Sequence, residues 1–202
     1  MRLTHRLLGL VCIVALAACS DDLGPGDGFD AEDAALIAVE TDALTGAMIL
    51  AQLDNFGIGS TNLGANSLDE REFTRTRACP AGGSVTITGA AERTVTDGVA
   101  EYTVQAEGVW DECARARGSR MLTIDGTFHL EAYRRRANGQ FAGIQTATKS
   151  GEFTWTRGNG ESGTCAFSVT TTRNPETHTR HVEGTVCGRS IEREVTWQRS
   201  EG

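Results

Sequence analysis

Between Cys19 and Leu68 the sequence has no lysine or arginine, while the same stretch holds nine acids: Asp21, Asp22, Asp27, Asp30, Glu32, Asp33, Glu40, Asp42 and Asp54. Together with a net charge of −8 over 202 residues, this argues against a nucleic-acid partner. Long apolar runs are scarce: Leu7 to Leu16 is ten residues, whereas a helix crossing the hydrocarbon core needs about 20. No two of Cys79, Cys113, Cys165 and Cys187 have the close spacing of a zinc site, and only His129, His178 and His181 could supplement them. A nucleophile elbow is missing too, since Gly160-Glu161-Ser162-Gly163 lacks the spacing. Lys149, the only lysine, follows a hydroxyl in Thr146-Ala147-Thr148-Lys149, without the partner motifs of a penicillin-recognising enzyme. What is present, 39% hydrophobic and 23% charged residues, is close to a globular average and excludes wholesale disorder and a multi-pass membrane protein.

The N-terminus carries an export address. Met1 to Arg6 is short and positive and Leu7 to Leu16 is apolar, the first two regions of a secretory signal. Leu16-Ala17-Ala18-Cys19 then resembles the bacterial lipobox, in which a Leu, two small residues and a Cys are read by the lipoprotein-processing enzymes. The resemblance implies a diacylglyceryl thioether on the Cys19 sulfur, cleavage before Cys19 and acylation of the new amino group. Three acyl chains, at about 0.8 kcal/mol per buried methylene, hold a protein on a membrane stably. Ser20 stands where the enterobacterial inner-membrane retention signal would place Asp, so the resemblance implies the outer membrane over the inner one. Ala15-Leu16-Ala17 also fits an ordinary secretory cleavage, which would release a soluble protein. Without residues 1–18 the net charge becomes −10.

Beyond the signal (1–18), residues 19–29 read as an acidic Gly/Pro tether and 57–71, beginning Gly57-Ile58-Gly59, as a linker. Between them, 30–56 predicts a helix that docks on the following domain, with Asp30 as N-cap and Glu32 and Asp33 in the first turn. Leu36, Val39, Ala43, Leu44, Ala47 and Leu50 form its apolar stripe, opposite Thr41, Thr45 and Gln52.

From Glu72 to the end (72–202) the period becomes two. Tyr102, Val104, Ala106 and Trp110 share one face, as do Leu122, Ile124, Phe128 and Leu130, and Phe153 with Trp155. Turn signals separate the runs: Gly82-Gly83, Asp97-Gly98, Asn138-Gly139, Ser150-Gly151, Asn159-Gly160 and Asn174-Pro175. The expected fold is mainly β, an antiparallel meander of about eight strands forming a strongly curved sheet or barrel with one N-terminal helix, or alternatively a two-sheet sandwich.

With Cys12 cut away and Cys19 lipidated, four cysteines remain, and sequence-near pairing gives Cys79 with Cys113 and Cys165 with Cys187. No residue set predicts a metal, a cofactor or a catalytic role. Arg134-Arg135-Arg136 reads as solvated charge at a hairpin tip, and His129 as exposed. Arg189, Arg193 and Arg199 share parity with Ile191, Val195 and Trp197, so part of the last strand's inner face should be polar. Arg189, Arg193 and His178 are therefore the candidate ligand residues. The sequence supports a lipid-anchored, monomeric envelope lipoprotein whose β-domain is a non-catalytic binding or interaction module, its partner an envelope protein or a small ligand. A barrel carrying a small apolar or anionic ligand is the alternative, and a hydrolase using His178, His181 or the Glu192 and Glu194 pair is the third reading.

Overall fold

A computed structural model of the chain describes residues 29–56, 66–117 and 120–196. The expectations attached to the signal, to Cys12 and Cys19, to the tether up to residue 28, to linker residues 57–65, and to Trp197 and Arg199 lie outside them.

The first element, α1 (Ala31–Asp54), starts as its sequence predicts. The Asp30 carboxylate accepts hydrogen bonds from the Glu32 and Asp33 amides, both at 2.9 Å, and the Asp33 carboxylate in turn accepts one from the Asp30 amide at 3.2 Å. This capping box satisfies N–H groups that the first turn leaves without partners.

Among the described residues nine antiparallel strands follow in one sheet: β1 (Asn66–Ala78), β2 (Ser84–Thr96), β3 (Val99–Arg117), β4 (Arg120–Ala137), the two-residue β5 (Gln140–Phe141), β6 (Gln145–Arg157), β7 (Ser162–Asn174), β8 (Thr179–Val186) and β9 (Arg189–Thr196). The eight long strands lie in chain order, and β5 pairs only with β4. The fold is thus mainly β, with one N-terminal helix. Among the described residues the sheet does not close: β1 pairs only with β2 and β9 only with β8, and both edge strands pack on α1. The helix fills the hollow of a curved sheet and bridges its two edges.

Hairpin geometry follows the turn residues. Asp97-Gly98 and Asn138-Gly139 take positive φ at both positions, as two-residue hairpins require. Ser150-Gly151 differs from its reading as a turn: β6 runs straight through it. A Cβ on Gly151 would lie 2.2 Å from the Thr127 carbonyl oxygen and 2.7 Å from the Phe128 Cα, so this glycine serves close strand approach. β1 also begins earlier than Glu72, because residues from Asn66 onward pair with β2 through the backbone despite their polar composition.

The helix turns the opposite way from its predicted stripe. Buried are Ala34, Ile37, Ala38, Thr41, Asp42, Leu44, Thr45, Met48, Ile49, Gln52 and Leu53, whereas Leu36, Val39, Ala47 and Leu50 are half-buried and Ala43 is exposed. Of the predicted stripe only Leu44 is buried. α1 is apolar nearly all round, long and apolar enough by composition to cross a membrane, and more than half of its most apolar window lies inside the protein. In such a helix apolar periodicity carries little directional information, and the polar groups choose the face because their partners lie on the sheet.

The interior changes character along the helix axis. At the N-terminal end of α1, Phe29 packs on Trp155 (ring centroids 5.5 Å apart) and Phe153 (6.4 Å), and Trp110 stacks with Phe128 and Phe167. Cys79–Cys113 and Cys165–Cys187 are disulfide-bonded at this end, beside Ile124 and Phe153 through the pairings Cys113 with Ile124 and Phe153 with Cys165. Toward the C-terminal end of α1 the aromatic cluster gives way to the buried cations Lys149, Arg134 and Arg93.

Candidate functional site

Every long strand sends a cationic side chain to the helix or its flanks. Arg75 of β1 donates to the Gln52 side chain at 3.2 Å, Arg93 of β2 to the Phe56 carbonyl at 3.0 Å, and Arg136 of β4 to Asp54 at 2.8 Å. Arg115 of β3 pairs with Glu40 and Arg157 of β6 with Asp33. From β9, Arg189 donates to the Phe29 carbonyl at 2.9 Å. Four acids of the helix, Asp33, Glu40, Asp42 and Asp54, are in this way paired with cations from the sheet.

The densest part of this cage surrounds Asp42, which is 1% exposed. Its Oδ1 accepts from the Lys149 ammonium at 2.9 Å, while Oδ2 accepts from Arg173 at 2.8 Å and faces Arg180 at 3.5 Å. Lys149 also donates to the Thr45 hydroxyl at 3.3 Å. Burial alone would raise the Asp42 pKa, but the charges of Lys149 and Arg173 outweigh it and hold the carboxyl well below the usual range. Burial pushes the Lys149 ammonium down, with Asp42 opposing. Arg134, 1% exposed, donates to the carbonyls of Tyr133 (2.9 Å) and Thr146 (2.6 Å), and burial, reinforced by the charge of Arg173, lowers it to about 10. Four cations thus gather around one carboxylate.

Strand register explains the gathering. Arg93 lies opposite Tyr102, Tyr102 opposite Arg134, Gln145 opposite Arg173, Arg173 opposite Arg180, and Arg180 opposite Val195. These residues form one cross-strand row near the C-terminal end of α1. Like charges directly opposite one another repel, so the Arg173 and Arg180 pair requires a counter-anion, which Asp42 supplies from the helix. Gly46 makes the approach possible: a Cβ there would stand 3.0 Å from an Arg173 guanidinium nitrogen.

Above the row a pocket of about 370 Å³ opens, lined by Leu50, Phe141, Gln145, Arg173, Pro175, Arg180 and Val195. A shallower hollow of about 540 Å³ adjoins it through Phe141 and Pro175, and is lined further by Arg136, Glu176 and His178.

The residues singled out from sequence are not brought together. His178 sits in the β7–β8 turn with φ +53° and borders the shallower hollow. Arg189 is spent on the Phe29 carbonyl at the far end, and Arg193 is exposed on β9. Val195, which shares their parity, is the β9 residue that lines the pocket. Arg134 and Arg136 correct the reading of the arginine triplet as solvated: alternation buries Arg134 and leaves Arg136 mostly covered, stacked over Phe141 at 4.2 Å, and only Arg135 projects outward. Arg134, Lys149, Arg173 and Arg180 were missed, although the signal was present. Phe128, Leu130, Ala132 and Arg134 share one parity, as do Phe167, Val169, Thr171 and Arg173. His129 is exposed, between Glu107 (3.0 Å) and Glu131 (3.3 Å). Among the described residues no group of three or more His, Cys, Asp or Glu side chains is placed to hold a metal ion.

The fold and site together define a curved antiparallel sheet wrapped around an acidic helix, with a cation-walled pocket at one end. No family model, curated protein or solved structure matches the chain.

Proposed function

We propose that this is an exported, lipid-anchored lipoprotein of the cell envelope, favouring the outer membrane, whose β-domain is a non-catalytic module that binds a small ligand in the pocket beside Arg173 and Arg180. The observation that carries the binding reading is that pocket: about 370 Å³, within the range of small-molecule sites, with an apolar lining and two convergent cations. The two disulfides suit an oxidising compartment outside the cytosol. The lipobox-like Leu16-Ala17-Ala18-Cys19 supports the anchor.

Metabolic labelling with an alkyne-bearing palmitate, followed by detergent phase separation, tests the anchor. The full-length protein should take up label and enter the detergent phase, and Cys19→Ser should do neither. An unlabelled wild-type protein in the aqueous phase contradicts the anchor.

A further inference from the structure

We infer that the pocket selects an amphipathic anion: one anionic head, of the carboxylate kind, against the Arg173 and Arg180 guanidinium groups, and one short apolar body along Leu50, Phe141, Pro175 and Val195. The inference rests on the reading of this pocket as a binding site and adds the ligand's chemical class and orientation.

Three features carry it. The first is charge imbalance. Asp42 is shared among Lys149, Arg173 and Arg180, with Arg134 adjacent, so its single negative charge leaves the cluster positive. Buried positive charge is costly, and an anion arriving from the pocket side reduces that cost. The second is access. Lys149 and Arg134 are almost fully buried, whereas the Arg173 and Arg180 side chains are 22% and 18% exposed and line the pocket, so they are the members of the cluster that an incoming head group reaches. Arg180 stands 3.5 Å from Asp42 against 2.8 Å for Arg173, which leaves more of its donor capacity uncommitted. Guanidinium donors offer the planar, charge-assisted hydrogen bonds that a carboxylate accepts best. The third is the rest of the wall. Leu50, Phe141, Pro175 and Val195 offer no charge, so a body attached to the head gains by being apolar.

The test uses the full-length protein in lipid nanodiscs, titrated with octanoate, octanol and octylamine, with empty nanodiscs as the partition control. Octanoate should bind at least ten-fold more tightly than octanol, and octylamine should show no saturable binding. Arg180→Gln should weaken octanoate at least five-fold and leave octanol unchanged. Val195→Trp, which fills the pocket from the strand position opposite Arg180, should abolish both. Equal affinity for octanoate and octanol would overturn the anionic head while leaving the pocket as a site. Absence of saturable binding by all three would overturn both the ligand class and the reading of the pocket as a binding site.

Discussion

At the scale of single residues, the molecule separates charges that share the same chemistry by where alternation places them. Arg134 and Arg135 are neighbours, yet one is 1% exposed and the other projects outward beside Glu101. His129 belongs to the outward class. Its hydrogen bond with Glu107, then that with Glu131, raises its pKa above the ordinary value near 6.5. Because the folded pKa is raised, the stabilising contribution is present below the unfolded value and is lost as pH rises through the folded one. An NMR titration should place the His129 midpoint above about 6.5, and Glu107→Gln should move it down. A wild-type midpoint at or below that of a free histidine would contradict the pairing.

At the scale of elements, the helix shows how far hydrophobic pattern reaches. Its start was legible from Asp30 and the acids of its first turn, since the capping box depends on local spacing. Its buried face was not, since α1 is apolar nearly all round and its orientation is set by Asp33, Asp42 and Gln52 meeting partners more than twenty residues away. The two faces make opposite predictions for near-identical substitutions. Ile37→Ala, at a position 1% exposed, should cost about 2–4 kcal/mol in denaturant unfolding, and Leu36→Ala, half-buried on the predicted stripe, less than about 1 kcal/mol. The reverse order would restore the stripe read from sequence. The strands were more legible, because period-two alternation flanked by Asp97-Gly98 or Asn138-Gly139 leaves few other structures open. Ser150-Gly151 was misread because a glycine that lets two backbones approach has the same local signature as one that turns a chain.

At the scale of the whole molecule, the charge asymmetry in the sequence is a structural device. The base-free helix α1 folds inside a sheet that presents an Arg or Lys to it or its flanks from each of eight long strands, five of them through ion pairs with helix acids and three through hydrogen bonds to Gln52 and the Phe29 and Phe56 carbonyls. Buried ion pairs of this kind add little net stability compared with apolar packing, but removing one partner leaves a charge stranded. Their effect is specificity: they fix which way the helix faces and where along the sheet it stops. The candidate site depends on that register, since the pairing of β7 with β8 sets Arg173 opposite Arg180 at the pocket and Asp42 contacts both on its inner side. The sequence showed each arginine and its parity; it did not show that four strands align theirs in one row, because register is a long-range property.

Asp42 is the point on which this account turns. Its depressed pKa means that its stabilising contribution is present above the unfolded carboxylate value near 4 and is lost only as pH falls further, through the lower folded value. Thermal unfolding of Asp42→Asn near pH 7 is therefore the most direct test. Removing the shared anion should cost about 3–5 kcal/mol, a fall in Tm of roughly 6–20 °C for a protein of this size, while Asp54→Asn, whose own carboxylate is half exposed in its pair with Arg136, should shift Tm by only about 3 °C or less. An Asp42→Asn protein that melts within that same 3 °C of wild type would contradict the claim that the sheet is organised around the acids of its helix.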